Sequence, residues 1–173
     1  MKILFICTHN RCRSILAEAI CNYYGGGLIQ AISAGSSPAG HVHPLTLKTL
    51  IALNIPTENL TSQSWDSFED TDIDYVITVC DKAANEACPV WFGKAKQVHW
   101  GLADPSAIEV SEESSEESSE ESSEESSEEA INAAFSHTVE ILQRRITQIK
   151  TWVQQELDAD ELCKRIQALA SDT

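Results

Sequence analysis

Short apolar runs and helical stripes alternate along this chain. Ile3-Leu4-Phe5-Ile6 is a continuous apolar run, which predicts a strand over 2–7 buried on both faces. A helix-forming run through Ile15, Leu16, Ala19 and Ile20 predicts a helix over 14–24, broken by Gly25-Gly26-Gly27 ahead of a strand over 28–33. After the loop Ser33–Pro38 the pattern gives a helix over 44–53. A short helix over 62–68 follows, with Trp65 and Phe68 facing inward. Apolar segments over 74–79 and 96–99 complete four strands. Ile131, Phe135, Leu142, Ile146, Ile149 and Val153 recur at helical spacing and predict one amphipathic helix over 131–156. A C-terminal helical extension, 158–173, carries Leu162, Ile166 and Leu169. Alternation of this kind implies an α/β fold: a four-stranded parallel sheet with right-handed crossovers and helices on both faces, in a single domain over 1–173.

The chemistry gathers where the first strand ends. Cys7-Thr8-His9-Asn10-Arg11-Cys12-Arg13-Ser14 places a thiol, five residues and an arginine on the turn between a buried strand and a helix. The spacing alone is a weak signal; the order strand, thiol, arginine, capping serine, helix is what gives it weight. Successive backbone N–H groups at such a turn make a cradle for a tetrahedral oxyanion. The planar fork of Arg13 can clamp two oxyanion oxygens, and the same positive field favours the thiolate form of Cys7, the nucleophilic one.

A second thiol pair, Cys80 and Cys88, follows the strand over 74–79. Seven intervening residues do not suit a zinc site, which uses shorter spacings. Were 81–87 helical, the two cysteines would lie about 12 Å apart along the axis. A disulfide needs their Cα atoms within about 7 Å, so joining them requires the segment to unwind. Beyond the last strand, Asp104-Pro105 puts a carboxyl group on a loop at the carboxyl end of a parallel strand. From there it can face the oxyanion cradle and protonate a leaving oxygen.

Residues Cys7 to Ser14 resemble the phosphate-binding loop of the low-molecular-weight tyrosine phosphatase family, whose pattern is Cys-x-x-Asn-x-x-Arg-Ser. The resemblance implies a low-molecular-weight phosphatase-like fold, with Thr8, His9, Asn10, Arg11, Cys12 and Arg13 forming the oxyanion-binding loop. Asn10 would hold the loop's shape and Ser14 would activate Cys7. The family includes phosphatases and arsenate reductases. The segment around Cys80 and Cys88 is similar to the redox loop of the reductases, which implies redox-active disulfides Cys7–Cys80 and then Cys80–Cys88. Asp104 matches the family's general acid. Ser106-Ala107-Ile108 stand where phosphatases usually carry aromatic residues, and Ile15 where they usually carry proline; both departures favour reduction of arsenate to arsenite. The catalytic set expected is therefore Cys7, Arg13, Ser14, Cys80, Cys88 and Asp104. The alternatives are a phosphotyrosine or small-phosphoester phosphatase, which leaves Cys80 and Cys88 without a task, and a non-enzymatic oxyanion or redox sensor.

Composition narrows the partners. The net charge is −15, but 111–129 are all Ser and Glu and hold ten of the 27 acidic residues. The other 17 acidic against 12 basic residues leave about −5. The tract has nothing apolar to bury and repels itself, so it reads as a disordered or transiently helical insertion. So acidic a chain is a poor binder of nucleic acid or of a membrane surface. No apolar run reaches spanning length, and the first strand begins directly after Met1, leaving no room for a signal peptide. Six cysteines without such a signal imply a reducing cytoplasm and chemical rather than structural thiols. No tightly bound cofactor and no metal is expected, since His41 and His43 lack a cluster to complete a site. The relay instead requires an external thiol reductant, thioredoxin or glutathione with glutaredoxin.

Overall fold

The computed structural model describes residues 1–85, 90–107 and 120–172, without the side chains of 90, 91 and 120–127. Four parallel strands form one sheet: β1 Lys2–Ile6, β2 Gln30–Ala34, β3 Tyr75–Thr78 and β4 Lys96–His99, in the order β2-β1-β3-β4. Ile3 to Ile6 are fully buried because β1 is flanked on both edges and covered on both faces. The chain steps one way from β1 to β2 and the opposite way from β3 to β4. Right-handed crossovers therefore carry the helix after β1 and the segment after β3 on opposite faces. The reversal beside β1 opens a crevice at the carboxyl ends of the strands, where α/β sheets take ligands.

Helix α1, Arg13–Tyr24, lies on β1 and β2 and packs against α4, Glu120–Gln154. Phe135, Val139, Leu142, Ile146 and Ile149 of α4 are buried at helical spacing. This helix begins at Glu120, ahead of the 131 expected, so the later part of the Ser/Glu tract has helical backbone. Residues 111–119 lie outside the described residues. Helix α2, Pro44–Ala52, starts with proline in its first turn, and His43 Nδ1 accepts from the Leu45 N–H at 3.2 Å. No helix among the described residues is long and apolar enough to cross a membrane.

One further boundary differs from the sequence pattern. The helix expected over 62–68 is only a 3-10 turn, Trp65–Phe68. Gln63 and Ser64 are spent instead on an isolated bridge beside the exit of β2, with Gly35 N–H to Gln63 O at 2.9 Å and Trp65 N–H to Gly35 O at 3.1 Å. Trp65 and Phe68 still pack against the core. At the other end the extension forms α5, Ala159–Ala168, capped by Asp158, whose carboxylate accepts from the N–H groups of Asp160 and Glu161. It lies against β4, and the carbonyl of Ile166 accepts from Trp100 Nε1 at 3.1 Å. Arg145 is buried beneath, its guanidinium 5.1 Å from the Trp100 ring centroid and donating to the carbonyls of Ala170 and Asp172.

Candidate active site

The loop from Cys7 to Cys12 leaves β1 and enters α1 at Arg13. Its carbonyls turn outward: those of Thr8, His9 and Arg11 accept from the N–H groups of Ser37, Ala39 and His43, each at 2.9 Å. A trans peptide points its N–H opposite to its C=O. The N–H groups of His9, Asn10 and Cys12 therefore face the concave side, as an anion-binding cradle requires. Gly35 permits this close approach: a Cβ there would lie 2.5 Å from the Thr8 carbonyl oxygen.

Asn10 takes the left-handed conformation, φ 43°, which asparagine tolerates better than most residues. Its fully buried side chain lies behind the loop, not in the cradle. Nδ2 donates to Ser14 Oγ and to Ser33 Oγ, both at 2.9 Å, and Oδ1 accepts from the Gln63 N–H at 2.7 Å. Ser14 Oγ lies 3.0 Å from Cys7 Sγ. Because this oxygen already accepts from Asn10, its own proton is left to donate to the sulfur, a bond that is stronger to a charged sulfur. Gln63 carries no sequence signal for this task, since its contribution to Asn10 is a backbone N–H.

Behind Asn10, Ser33 Oγ donates to Glu18 Oε2 at 2.6 Å. Burial pushes the Glu18 carboxyl up from about 4.5 to about 7, partly offset by the Ser33 hydrogen bond. An unfolded chain ionises this group near 4.5, so folding stability falls as pH rises from about 4.5 to about 7. The loss levels off at about 3 kcal/mol. Thermal melts of Glu18→Gln across that range should lack this slope and show the variant more stable than the parent at pH 8. A slope unchanged by the substitution would show that Glu18 is not its source.

Opposite the loop, Arg13 is held by two contacts: one terminal nitrogen donates to the Leu102 carbonyl at 3.0 Å, the other to Asp104 Oδ2 at 2.8 Å. Asp104 Oδ1 accepts from the backbone and the hydroxyl of Ser106. These contacts fix the β4 exit loop against the Cys7 loop. Cys80 follows β3, buried, with its sulfur 3.8 Å from Thr8 Oγ1 and accepting from the Ala83 N–H at 3.4 Å.

Cys7, Arg13, Cys80 and Asp104 thus line one cavity of about 190 Å³, shared with Thr8, His9, Arg11 and Cys12 of the loop. Ser106 lines it too, as does Lys82, which the sequence pattern does not single out. Three cations, Arg11, Arg13 and Lys82, give this cavity a basic lining in an acidic protein. Burial pushes the Cys12 thiol up to about 12, which keeps that sulfur protonated. Ser14 stays behind the loop in contact with Cys7. Cys88 and the Cys80–Cys88 pairing lie outside the described residues, as does Ile108. His41 and His43 flank the start of α2, and among the described residues no cluster of His, Cys, Asp and Glu could hold a metal ion.

A doubly wound sheet with a thiol and an arginine gathered around one oxyanion-sized cavity after β1 defines a class of cysteine-centred α/β proteins. The family model for low molecular weight phosphotyrosine protein phosphatase matches residues 2–161, and the chain belongs to that family. It is similar to an arsenate reductase of Bacillus cereus, 38% identical over 110 residues, covering 64% of this chain and 81% of that one. An arsenate reductase of Bacillus subtilis is 36% identical over 111 residues, covering 64% and 78%. Among solved structures, a thioredoxin-dependent arsenate reductase of Corynebacterium glutamicum matches 90% of this chain at 25% identity, TM-score 0.61. This chain spans 63% of that protein's length. A low molecular weight phosphotyrosine phosphatase of Vibrio cholerae shares the fold, TM-score 0.66 at 16% identity, over 91% of this chain and 99% of its own.

Proposed function

We propose that this protein reduces arsenate to arsenite by a cysteine thiol relay. The observation that carries the reading is the position of Cys80: a second thiol lines the same cavity as Cys7 and touches the oxyanion loop. Hydrolysis of a phosphoester has no use for it. Cys7 thiolate attacks arsenic(V) held by the loop N–H groups and Arg13, and Asp104 protonates the oxygen that leaves as water. Cys80 thiolate then attacks Cys7 Sγ. The S–As electron pair passes to arsenic, arsenite leaves, and the two thiols become the Cys7–Cys80 disulfide. Cys88 thiolate attacks Cys80 next, releasing Cys7 as thiolate and moving the disulfide to Cys80–Cys88. An external dithiol returns that disulfide to the thiols. No tightly bound cofactor enters the scheme.

The names of the Bacillus relatives support the same substrate, and the Corynebacterium neighbour's name supports thioredoxin as the reductant. Arsenite production by the purified protein, with thioredoxin and its reductase or with glutathione and glutaredoxin, tests both points. Turnover with thioredoxin alone is the expected result. No arsenite with either system would sink the reading.

One observation favours a second activity in the same cavity. Cys7, Arg13 and Asp104 are the whole set that phosphoester hydrolysis needs, and the family model is that of phosphatases. Slow hydrolysis of an aryl phosphate is expected beside reduction, since Ser106 offers no aromatic wall to an aryl group.

A further inference from the structure

Three polar groups meet beside Cys80 that the relay itself does not use. His99 ends β4, Thr78 ends β3, and Asp81 opens α3, Asp81–Ala84, immediately after Cys80. Thr78 Oγ1 lies 2.9 Å from His99 Nδ1, and Asp81 Oδ1 lies 3.0 Å from His99 Nε2. A carboxylate only accepts, so Nε2 carries the proton and donates to Asp81; Nδ1 is then able to accept the Thr78 hydroxyl proton. The imidazole therefore ties the ends of two strands to the first turn of α3.

The neighbouring backbone is built around this contact. Gly101 has φ 53°, and a Cβ there would stand 3.1 Å from His99 Nε2 and 3.2 Å from Asp81 Oδ1. Any side chain at this position would crowd the bond. The same stretch continues into Leu102 and Asp104, which hold Arg13. A single run of five or six residues thus fixes the arginine on one side and the Cys80 turn on the other.

We propose that His99 is a positioning residue: by clasping Asp81 it presents Cys80 to the Cys7 loop, and the clasp opens when the segment after Cys80 is released. This rests on the relay reading above. Cys80 needs opposite things in its two steps. To attack Cys7 Sγ it must stay where Thr8 touches it. To be attacked by another thiol it must be free to move, because it is buried beside Thr8 with its sulfur held by the Ala83 N–H. A clasp that holds in the first step and yields in the second has to be weak, and this one is: the His99 and Asp81 side chains are 39% and 85% exposed.

The proposal makes the two steps respond in opposite directions. In a Cys88→Ser background, rapid quench with alkylation follows Cys7–Cys80 disulfide formation after arsenate is added. With Cys88 present, the same method follows transfer of the disulfide to Cys80–Cys88. Asp81→Ala and His99→Asn, which cannot reach Asp81, should slow the first step and speed the second, each about two- to fivefold. His99→Gln, whose amide extends to the Nε2 position, should restore much of both rates.

A readout independent of arsenate is the alkylation rate of Cys80 in the reduced protein. It should rise by a similar factor in Asp81→Ala and His99→Asn, while Cys163 on α5 labels as before. If both relay steps slow together, or if Cys80 labelling stays at the parent rate, the clasp is only a local staple and the proposal falls. If the parent protein forms no arsenite but the labelling shifts appear, the relay reading fails and the clasp survives as a restraint on Cys80.

Discussion

Cys80→Ser should abolish sustained arsenite production, by at least about a thousandfold, while leaving the first encounter with arsenate intact. Cys80 is buried at the cavity beside Thr8, and among the described residues no other thiol but Cys7 and Cys12 lines that space. Cys12 does not substitute, because burial holds its thiol up at about 12. Arsenate should therefore still protect Cys7 from alkylation in the variant, and aryl phosphate hydrolysis should persist. Cys88→Ser should behave differently: one equivalent of arsenite per chain, then arrest at the Cys7–Cys80 disulfide. Multiple turnovers by Cys80→Ser with the physiological reductant would remove Cys80 from the mechanism.

The second large effect is expected at Asn10. Its side chain satisfies Ser14, Ser33 and the Gln63 N–H in a fully buried position, and its backbone is left-handed. Asn10→Ala orphans these groups and leaves alanine, without asparagine's tolerance, in a left-handed conformation that costs it about 1 kcal/mol. Denaturant unfolding should show a loss of about 3–5 kcal/mol. Activity should fall about a hundredfold, because Ser14 and the loop lose their orientation around Cys7. Asn10→Gly should regain about 1 kcal/mol of stability, the backbone share, and little of the activity. A loss below about 1 kcal/mol for Asn10→Ala would mean that the loop is held by its carbonyl contacts alone.

Much of this site was legible because its signals are local. Strand, thiol, arginine and helix lie within 24 consecutive residues, and Asp104-Pro105 follows its strand directly. The continuous apolar character of Ile3–Ile6 announces a central parallel strand, which β1 is. What escaped the sequence depends on contacts between distant segments. Gln63 reaches Asn10 through backbone, so no side-chain pattern marks it. Trp65–Phe68 shows the right apolar spacing for a longer helix, yet the bridge from Gly35 to Ser64 takes the residues that would start one. His99 looks like an edge-strand polar residue until Asp81 is folded beside it. Arg145 stands inside an apolar helix stripe, and the Trp100 ring and the carbonyls of the C-terminal turn, brought to it by folding, receive the buried cation there.

The strand order also sets a timetable for synthesis. β1 is made first but sits in the middle of the finished sheet, paired to β2 on one edge and β3 on the other. Its first partner is complete only at Ala34 and its second only at Thr78, so nearly half the chain must emerge before β1 is enclosed. Until Ser37, Ala39 and His43 arrive no N–H takes up the loop carbonyls, and until Gln63 arrives its N–H cannot anchor Asn10. The nucleophile is therefore made ahead of its surroundings, as an ordinary thiol, and gains its special setting only as the segments through Asp104 follow.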